Sequence, residues 1–443
     1  MLYKFTLDAG TPLTADIIGK AIRYNANVNV HALNFAKGYY DGTGQQIMFR
    51  APADIERPNN RIVKNYCATI VDNFAGYICG NPITYQAQEV GEDIGMLKDV
   101  LAYNDTANED LEWLRDGLIY GVAYELLYVN EQNQIRYKHL NPVGVIPIYS
   151  DDLDERLIGA ITVSPVSTWQ DGLTYDNLRY RVTVYTDTDI TYYEYNNSMT
   201  SLVQTGVEPH YFGAVPLAVF NPNSENAPIF ERIISLQDAY NSLLSDEVND
   251  FQAFVDAYMV LRNIQADEED LEEMKRTRSI MIDGDSDVSY LTKDITNTTV
   301  ESMLENINAS IHTISNSPDF SSQEFQSGVS SGTALQFKLV GFNNLASNIE
   351  MRFRKAINER LALIGNVMWL LDDAPVPVTV TFTHNLPANV ADTANIVNSL
   401  RGLVSDETLL AQLPFIDDVP SELERLHNQG TQYADDYALG ALV

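Results

Sequence analysis

Two stretches of this chain keep apolar residues at three- and four-residue steps for much longer than an ordinary helix does. The first runs over 228–263, with Ile229, Ile233, Leu236, Tyr240, Leu243, Leu244, Val248, Phe251, Val255, Tyr258 and Leu261 in phase and Pro228 at its first turn. The second runs from Thr333 to about Leu371, through Leu335, Leu339, Phe342, Ala346, Ile349, Phe353, Ala356, Leu361, Ile364, Met368 and Leu371. At 1.5 Å of rise per residue such helices are about 54 and 58 Å long. Those lengths exceed what a compact monomeric domain needs, so this chain is expected to pack against other subunits.

Composition removes several alternatives. The chain has 443 residues, with 28 Lys plus Arg against 61 Asp plus Glu, for a formal charge of −33. Tight binding of nucleic acid by phosphate neutralisation needs basic clusters, and an anionic membrane surface repels such a chain. The 25 Tyr and 16 Phe, in a chain that is 45% hydrophobic, argue against disorder. Cys67 and Cys79 supply neither a disulfide framework nor metal spacing, and read as small buried hydrophobes in a reducing compartment. The start, MLYKFTLDAG, lacks the pattern of a signal peptide, and no apolar run reaches the length that spans a bilayer. A folded, acidic, cytoplasmically made protein of two to four modules is expected.

The first half reads as one α+β module. Helical spacing covers 14–40 and closes at Tyr39-Tyr40-Asp41-Gly42; a second helix is expected from Asn60 to about Ile78, stopped by Gly80-Asn81-Pro82, and a third from about Asn108 to Tyr120. Between Ala123 and Gln204 the pattern shortens to extended runs: Tyr124–Val129, Ile135–Leu140, Val145–Tyr149, Leu157–Val163, Arg179–Thr186 and Ile190–Tyr195. After the first long helix come the acidic run Asp267–Glu273, a β-like piece over Ser279–Leu291, and a helix from about Thr298 to Ser315. Residues 316–332 are polar and Ser-rich with two glycines. After the second long helix, Val376–Thr383 alternates as a strand, and 387–427 reads as short helices, one begun by Ser405 with Asp406 and Glu407.

Motifs of enzymes and metal sites fail in turn. Gly328-Val329-Ser330-Ser331-Gly332 fits the serine-hydrolase elbow, but Ser, Gln and Glu precede it where that chemistry needs a strand. Asp283, Asp285, Asp287 and Asp294 fall on an EF-hand count, yet Val288 replaces the required Gly and Asp294 the bidentate Glu; incidental divalent-ion binding and a plain solvated turn both stay open there. There is no P-loop, Gly42-Thr43-Gly44 lacks a dinucleotide fingerprint, and the six histidines are dispersed. No cofactor or metal is expected. On the first long helix, Glu231, Asp238, Asp246, Glu247, Asp250 and Asp256 form a polar side that reads either as a solvated face or as a wall repelling DNA phosphates.

A set of segments in fixed order carries a resemblance. They are Tyr39–Gly42, Asn59–Tyr66, Gly76–Ile83, Tyr120–Val129, Asp238–Asn241, Ser245-Asp246, Ala257-Tyr258 with Val260-Leu261, Ser331–Leu335, Val380–Leu386 and Leu403–Pro414, together spanning about residues 39–425. In that order the chain resembles the portal proteins of tailed bacteriophages, in the branch found in siphophages of Gram-positive hosts. The resemblance implies an α+β portal fold, assembled as a ring of about a dozen subunits at one capsid vertex. It implies a wing over 1–227, stem helices over 228–263 and 297–316, a small clip over 264–296, a tunnel loop over 317–332, a long wing helix and strand over 333–386, a short helical crown over 387–427, and a flexible tail over 428–443.

It also implies roles. The loop residues Ser321, Ser322, Gln323, Glu324, Phe325, Gln326, Ser327, Gly328, Val329 and Ser330 would meet DNA at the narrowest point, while Asp246, Glu247, Asp250 and Asp256 would line the channel. Asp267, Glu268, Glu269, Asp270, Lys275, Arg276, Arg278, Asp283, Asp285 and Asp287 would form the docking surface for the terminase large subunit and then for head-completion (adaptor) proteins. The other implied partners are copies of the chain, double-stranded DNA as a passenger, and the major capsid and scaffolding proteins, with no membrane. The competing expectation is an acidic structural hub of another assembly without DNA contact.

Overall fold

Alternation of small apolar and polar residues in the first half builds sheets, and the helices that cover them supply the complementary faces. The protein was examined as a computed structural model, which describes residues 2–8, 10–52, 58–89, 92–166, 179–195, 202–255, 258–262, 287–291, 297–320, 322, 337–370, 376–385, 397–410 and scattered positions from 413 to 426. The helices are α1 Ala15–Asn27, α2 Asn29–Asp41, α3 Tyr66–Cys79, α4 Gly95–Tyr103, α5 Thr106–Tyr120, α6 Ile234–Val255, α7 Asn297–Ser315, α8 Val340–Leu370 and α9 Asp406–Leu410. The strands are β1 Phe5–Leu7, β2 Thr84–Ala87, β3 Ala123–Val129, β4 Ile135–Leu140, β5 Val145–Ser150, β6 Leu157–Val166, β7 Arg179–Tyr185, β8 Asp189–Tyr195, β9 Leu202–Pro209, β10 Leu217–Phe220, β11 Tyr258–Arg262, β12 Asp287–Leu291 and β13 Val378–Thr381.

The chain divides into two compact units. One comprises Met1–Lys37, Thr69–Glu231 and Asn316–Val443; the other comprises Gly38–Ala68 and Arg232–Ser315. The first holds a six-stranded sheet in the order β1-β5-β6-β7-β8-β9, in which β1 runs parallel to β5 and the other neighbours are antiparallel. Helix α1, started by the Thr14 hydroxyl accepting from the Ile17 N–H, buries Ile18, Ala21 and Ile22 against Ile146, Ile148, Ile161, Val182 and Val184 of that sheet. A second core gathers Trp113 of α5, Phe220 of β10 and Phe353 of α8, with the Phe353 ring 5.2 Å from Trp113 and 4.9 Å from Phe220. The backbone turns from α5 into β3 at Gly121, whose φ is +79°, and a Cβ there would lie 2.5 Å from the Asn226–Ala227 backbone. The second unit holds α6, α7 and the antiparallel pair β11–β12.

Several sequence expectations shift at their edges. The helix expected over 14–40 is two helices meeting at Val28, where the Asn29 side chain is bonded to both backbone groups of Tyr3. The helix expected from Asn60 begins only at Tyr66, because its first residues are drawn out straight. Within 228–263, helix covers Ile234–Val255 and Tyr258–Arg262 is a strand paired with Asp287–Leu291. A Tyr-Met-Val-Leu run fits a strand as well as a helix turn, and the cross-strand partner decides. The helix is therefore 22 residues, about 33 Å. The β-like piece expected over Ser279–Leu291 is strand over Asp287–Leu291, and the rest of it lies outside the described residues. Helix α8, at 31 residues and about 46 Å, is the longest described, and 333–336 lie outside the described residues. The Ser405 hydroxyl accepts from the Thr408 N–H at the start of α9 as expected, and Cys67 and Cys79 are free and buried.

Candidate functional site

The candidate channel element of the second unit is α6, and its conformation is held by an extended segment lying along it. The N–H groups of Asn60, Ile62, Lys64 and Tyr66 alternate along that segment. They donate respectively to Asn249 Oδ1 (2.8 Å), Ser245 Oγ (3.0 Å), Asn241 Oδ1 (3.0 Å) and Gln237 Oε1 (2.8 Å). Two residues of extended chain advance about 6.7 Å and four residues of helix about 6 Å, so every second N–H meets every fourth side chain. The helix surface thus acts as a neighbouring strand, supplying through side chains the acceptors that a sheet supplies through carbonyls. Gln237 returns a bond from its amide to Lys64 O, and Asn241 is itself bonded to Gln45. Gln237, Asn241 and Ser245 are fully buried, so each of these groups would be costly to leave unpaired.

The same unit ties down part of the acidic side of α6. Arg50 donates to Asp246 Oδ1 at 2.6 Å, and also to Asn59 Oδ1 and Asn60 O. Tyr39 donates to both oxygens of Asp238. Burial, then the Asp238 carboxylate, drives the Tyr39 hydroxyl far above its ordinary range, and burial pushes the Cys67 thiol up to about 12. Tyr66 bonds Asn308 of α7 at 2.6 Å and packs edge-on against Tyr240, so α6 and α7 share one aromatic contact. The outward face carries Ser235, Ala239, Ser242, Asp246 and Asp250, all exposed, and α6 contains no Lys, Arg or His. Glu247 is half-buried.

The structure brings together only some of the residues singled out from sequence. Asp246, Glu247 and Asp250 share α6, while Asp256 lies outside the described residues. Of the expected loop residues only Ser322 is described; its N–H and its hydroxyl both donate to Asp319 O, closing a tight turn. Of the expected docking residues only Asp287 is described, opposite Arg262 in the β11–β12 pair. Ser330, Asp283, Asp285 and Asp294 also lie outside. Among the described residues no three His, Cys, Asp or Glu side chains gather as a metal site. The ladder residues Gln237, Asn241, Ser245 and Asn249 were not singled out by role, although their four-residue spacing is visible in the sequence.

The first unit contains an ionic cluster in its interior. Arg360 of α8, wholly buried, donates to Asp110 Oδ1 of α5 at 2.6 Å, to Glu125 Oε1 of β3 at 3.1 Å and to the Tyr85 hydroxyl of β2 at 2.5 Å. Tyr85 in turn donates to Asp110 Oδ2 at 2.7 Å, and the guanidinium lies 4.8 Å from the Tyr137 ring centre. Burial opposes the charge on Arg360, but Asp110 and Glu125 hold the guanidinium protonated. Burial pushes the Glu125 carboxyl up to about 7 against the pull of Arg360. One arginine therefore pins α8, α5, β2 and β3 to one another.

Some segments quoted for the resemblance carry these contacts: Asn59–Tyr66 is one side of the ladder, Asn241 and Ser245 on the other side fall within Asp238–Asn241 and Ser245-Asp246, and Tyr120–Val129 contains the Gly121 turn and Glu125. Comparison with known proteins agrees over most of the chain. The chain is 24% identical over 433 residues to the portal protein of Bacillus phage SPP1, covering 90% of this chain and 80% of that one. It is 22% identical over 430 residues to the portal protein of Clostridium phage phiCD119, covering 91% and 94%. The family described as "Phage portal protein, SPP1 Gp6-like" matches residues 20–436, and this chain belongs to it.

Proposed function

We infer that this chain assembles into the ring at one capsid vertex through which double-stranded DNA enters and later leaves the phage head. The observation that carries this reading is the family match, which runs over residues 20–436 rather than over one module. The α6–α7 pair, joined by the described β11–β12 strands, supports a stem ending in a clip, and the exposed face of α6, which carries Asp250 and the Arg50-paired Asp246 and to which the helix itself contributes no cation, supports a channel wall to which phosphate does not adhere. In this reading the chain catalyses nothing. A separate ATP-driven terminase supplies the work, docking on the clip around Asp267–Asp270, Lys275, Arg276, Arg278 and Asp283–Asp287, and head-completion proteins follow it. Residues 317–332 form the tunnel loop, 1–227 and 333–386 the wing, and 387–427 the crown. The ring is assembled in the host cytoplasm with capsid and scaffolding proteins and is carried in the virion.

A ring of about a dozen subunits sums the −33 of each to roughly −400 formal charges. That field excludes static DNA binding and suits a conduit along which DNA slides. Native mass spectrometry and negative-stain microscopy of the purified chain test the proposal. Rings of about a dozen subunits with a central hole are expected, and a monodisperse monomer under assembly conditions would sink it.

A further inference from the structure

Among the described residues, one side of α8 is left exposed. With a 100° turn per residue, Phe337, Met351, Lys355 and Trp369 fall on one strip along α8 and the turn that leads into it, and Arg352 borders the strip. Phe337 is 76% exposed, Met351 59% and Trp369 66%. No carboxylate lies on the midline of the strip, and Glu359 at its edge reaches Lys355 only at 4.0 Å. Two hollows of the first unit flank this ridge over Arg352–Met368. One is a cleft of about 1280 Å³ of mixed charge, whose walls include Arg352 and Lys355 together with Asp154, Glu155, Asp187 and Glu359. The other is a cavity of about 250 Å³ whose walls include Asn358, Ala362 and Met368. A ridge with a hollow on each side is the relief that helix packing fills, and three large exposed apolar side chains on one line mark a contact surface.

We propose that this ridge of α8 is where a second copy of the chain docks through a carboxylate-bearing face. The occupant follows from charge. In a chain with 61 acidic and 28 basic residues, a copy approaches with an acidic surface almost wherever it is turned, and the ridge answers with Arg352 and Lys355 and no central carboxylate. The two faces differ, so the contact is head-to-tail, and a head-to-tail contact repeated about a closing rotation makes a ring. This inference rests on the ring reading above and gives that ring its wing contact.

The test is the double charge reversal Arg352→Glu with Lys355→Glu in the full chain, beside the separate variant Trp369→Ser. All three side chains are exposed, and the Lys355–Glu359 contact altered within the chain is a surface pair at 4.0 Å, so each variant is expected to melt close to the wild type. Native mass spectrometry at physiological salt is expected to show the ring fraction reduced about tenfold or more in the double variant, because like charges then face each other, and reduced in Trp369→Ser. Rings at the wild-type level in both variants overturn this surface and leave the ring reading standing. A wild-type chain that forms no ring overturns both.

Discussion

Glu125 offers the sharpest check on the interior of the first unit. Its carboxyl shifts from an ordinary 4.5 to about 7 on folding because burial outweighs the attraction of Arg360. The folded chain then holds that proton more tightly than the unfolded chain, so between pH 4.5 and 7 folding takes up a proton and stability falls as pH rises. At about 1.36 kcal/mol for each factor of ten in proton affinity, the penalty is absent below the unfolded value and reaches about 3 kcal/mol above the folded one. The variant Glu125→Gln keeps an oxygen for Arg360 but has nothing to ionise. Its amide nitrogen would sit where Glu125 Oε2 has no hydrogen-bond partner, a cost that is the same at every pH. Urea unfolding followed by tryptophan fluorescence, run on both proteins at pH 4.5 and pH 8, isolates the ionisation. The stability of the variant relative to the wild type is expected to rise by about 3 kcal/mol from the lower pH to the higher. A relative stability that does not change with pH would falsify the claim that burial dominates this carboxyl.

Three further outcomes are expected. Asn241→Ala strips the acceptor from the Lys64 N–H and a partner from Gln237 and Gln45, so hydrogen exchange at the Lys64 amide should accelerate and stability fall by about 2–3 kcal/mol; unchanged exchange there would refute the ladder. Gly121→Ala forces a Cβ into the Asn226–Ala227 backbone at a positive φ and should cost more than about 2 kcal/mol in thermal or urea unfolding, whereas a wild-type melt would contradict the turn geometry. Deleting Gln323–Ser330 should spare ring assembly but impair DNA packaging or retention, and normal packaging by such a mutant would remove the role assigned to that loop.

Local patterns carried the strands well. Ile135–Leu140 was legible to the residue and Val145–Tyr149 to within one, because alternation over a half-buried sheet needs only the nearest neighbours in sequence. The helices were legible in kind but not always in extent. At Asn60–Asn65 the apolar Ile62 and Val63 fit a helical face, yet the backbone there is extended because four polar side chains of α6 receive its N–H groups. Nothing within reach of Asn60 along the sequence announces Asn249. At Tyr258–Arg262 the helical step continued in the letters while the partner strand Asp287–Leu291 imposed the other geometry. Of the residues assigned from sequence to loop, clip and channel, Asp246, Glu247 and Asp250 share one helix, and Asp246 turns out to be held by Arg50.

The order of segments was sufficient by itself to place this chain among phage portal proteins, since linear order is a property of the sequence, and the scarcity of cations set the expectation that it does not grip DNA. Tertiary structure alone decided which acids of α6 are exposed, which arginine is buried, and which side of α8 is exposed among the described residues. Arg360 and Arg352 stand eight residues apart on α8, one within the core between Asp110 and Glu125 and the other on the open ridge. Helical phase separates them by about 80°, but only what packs against each side of the helix turns one into an interior bolt and the other into a contact for a partner.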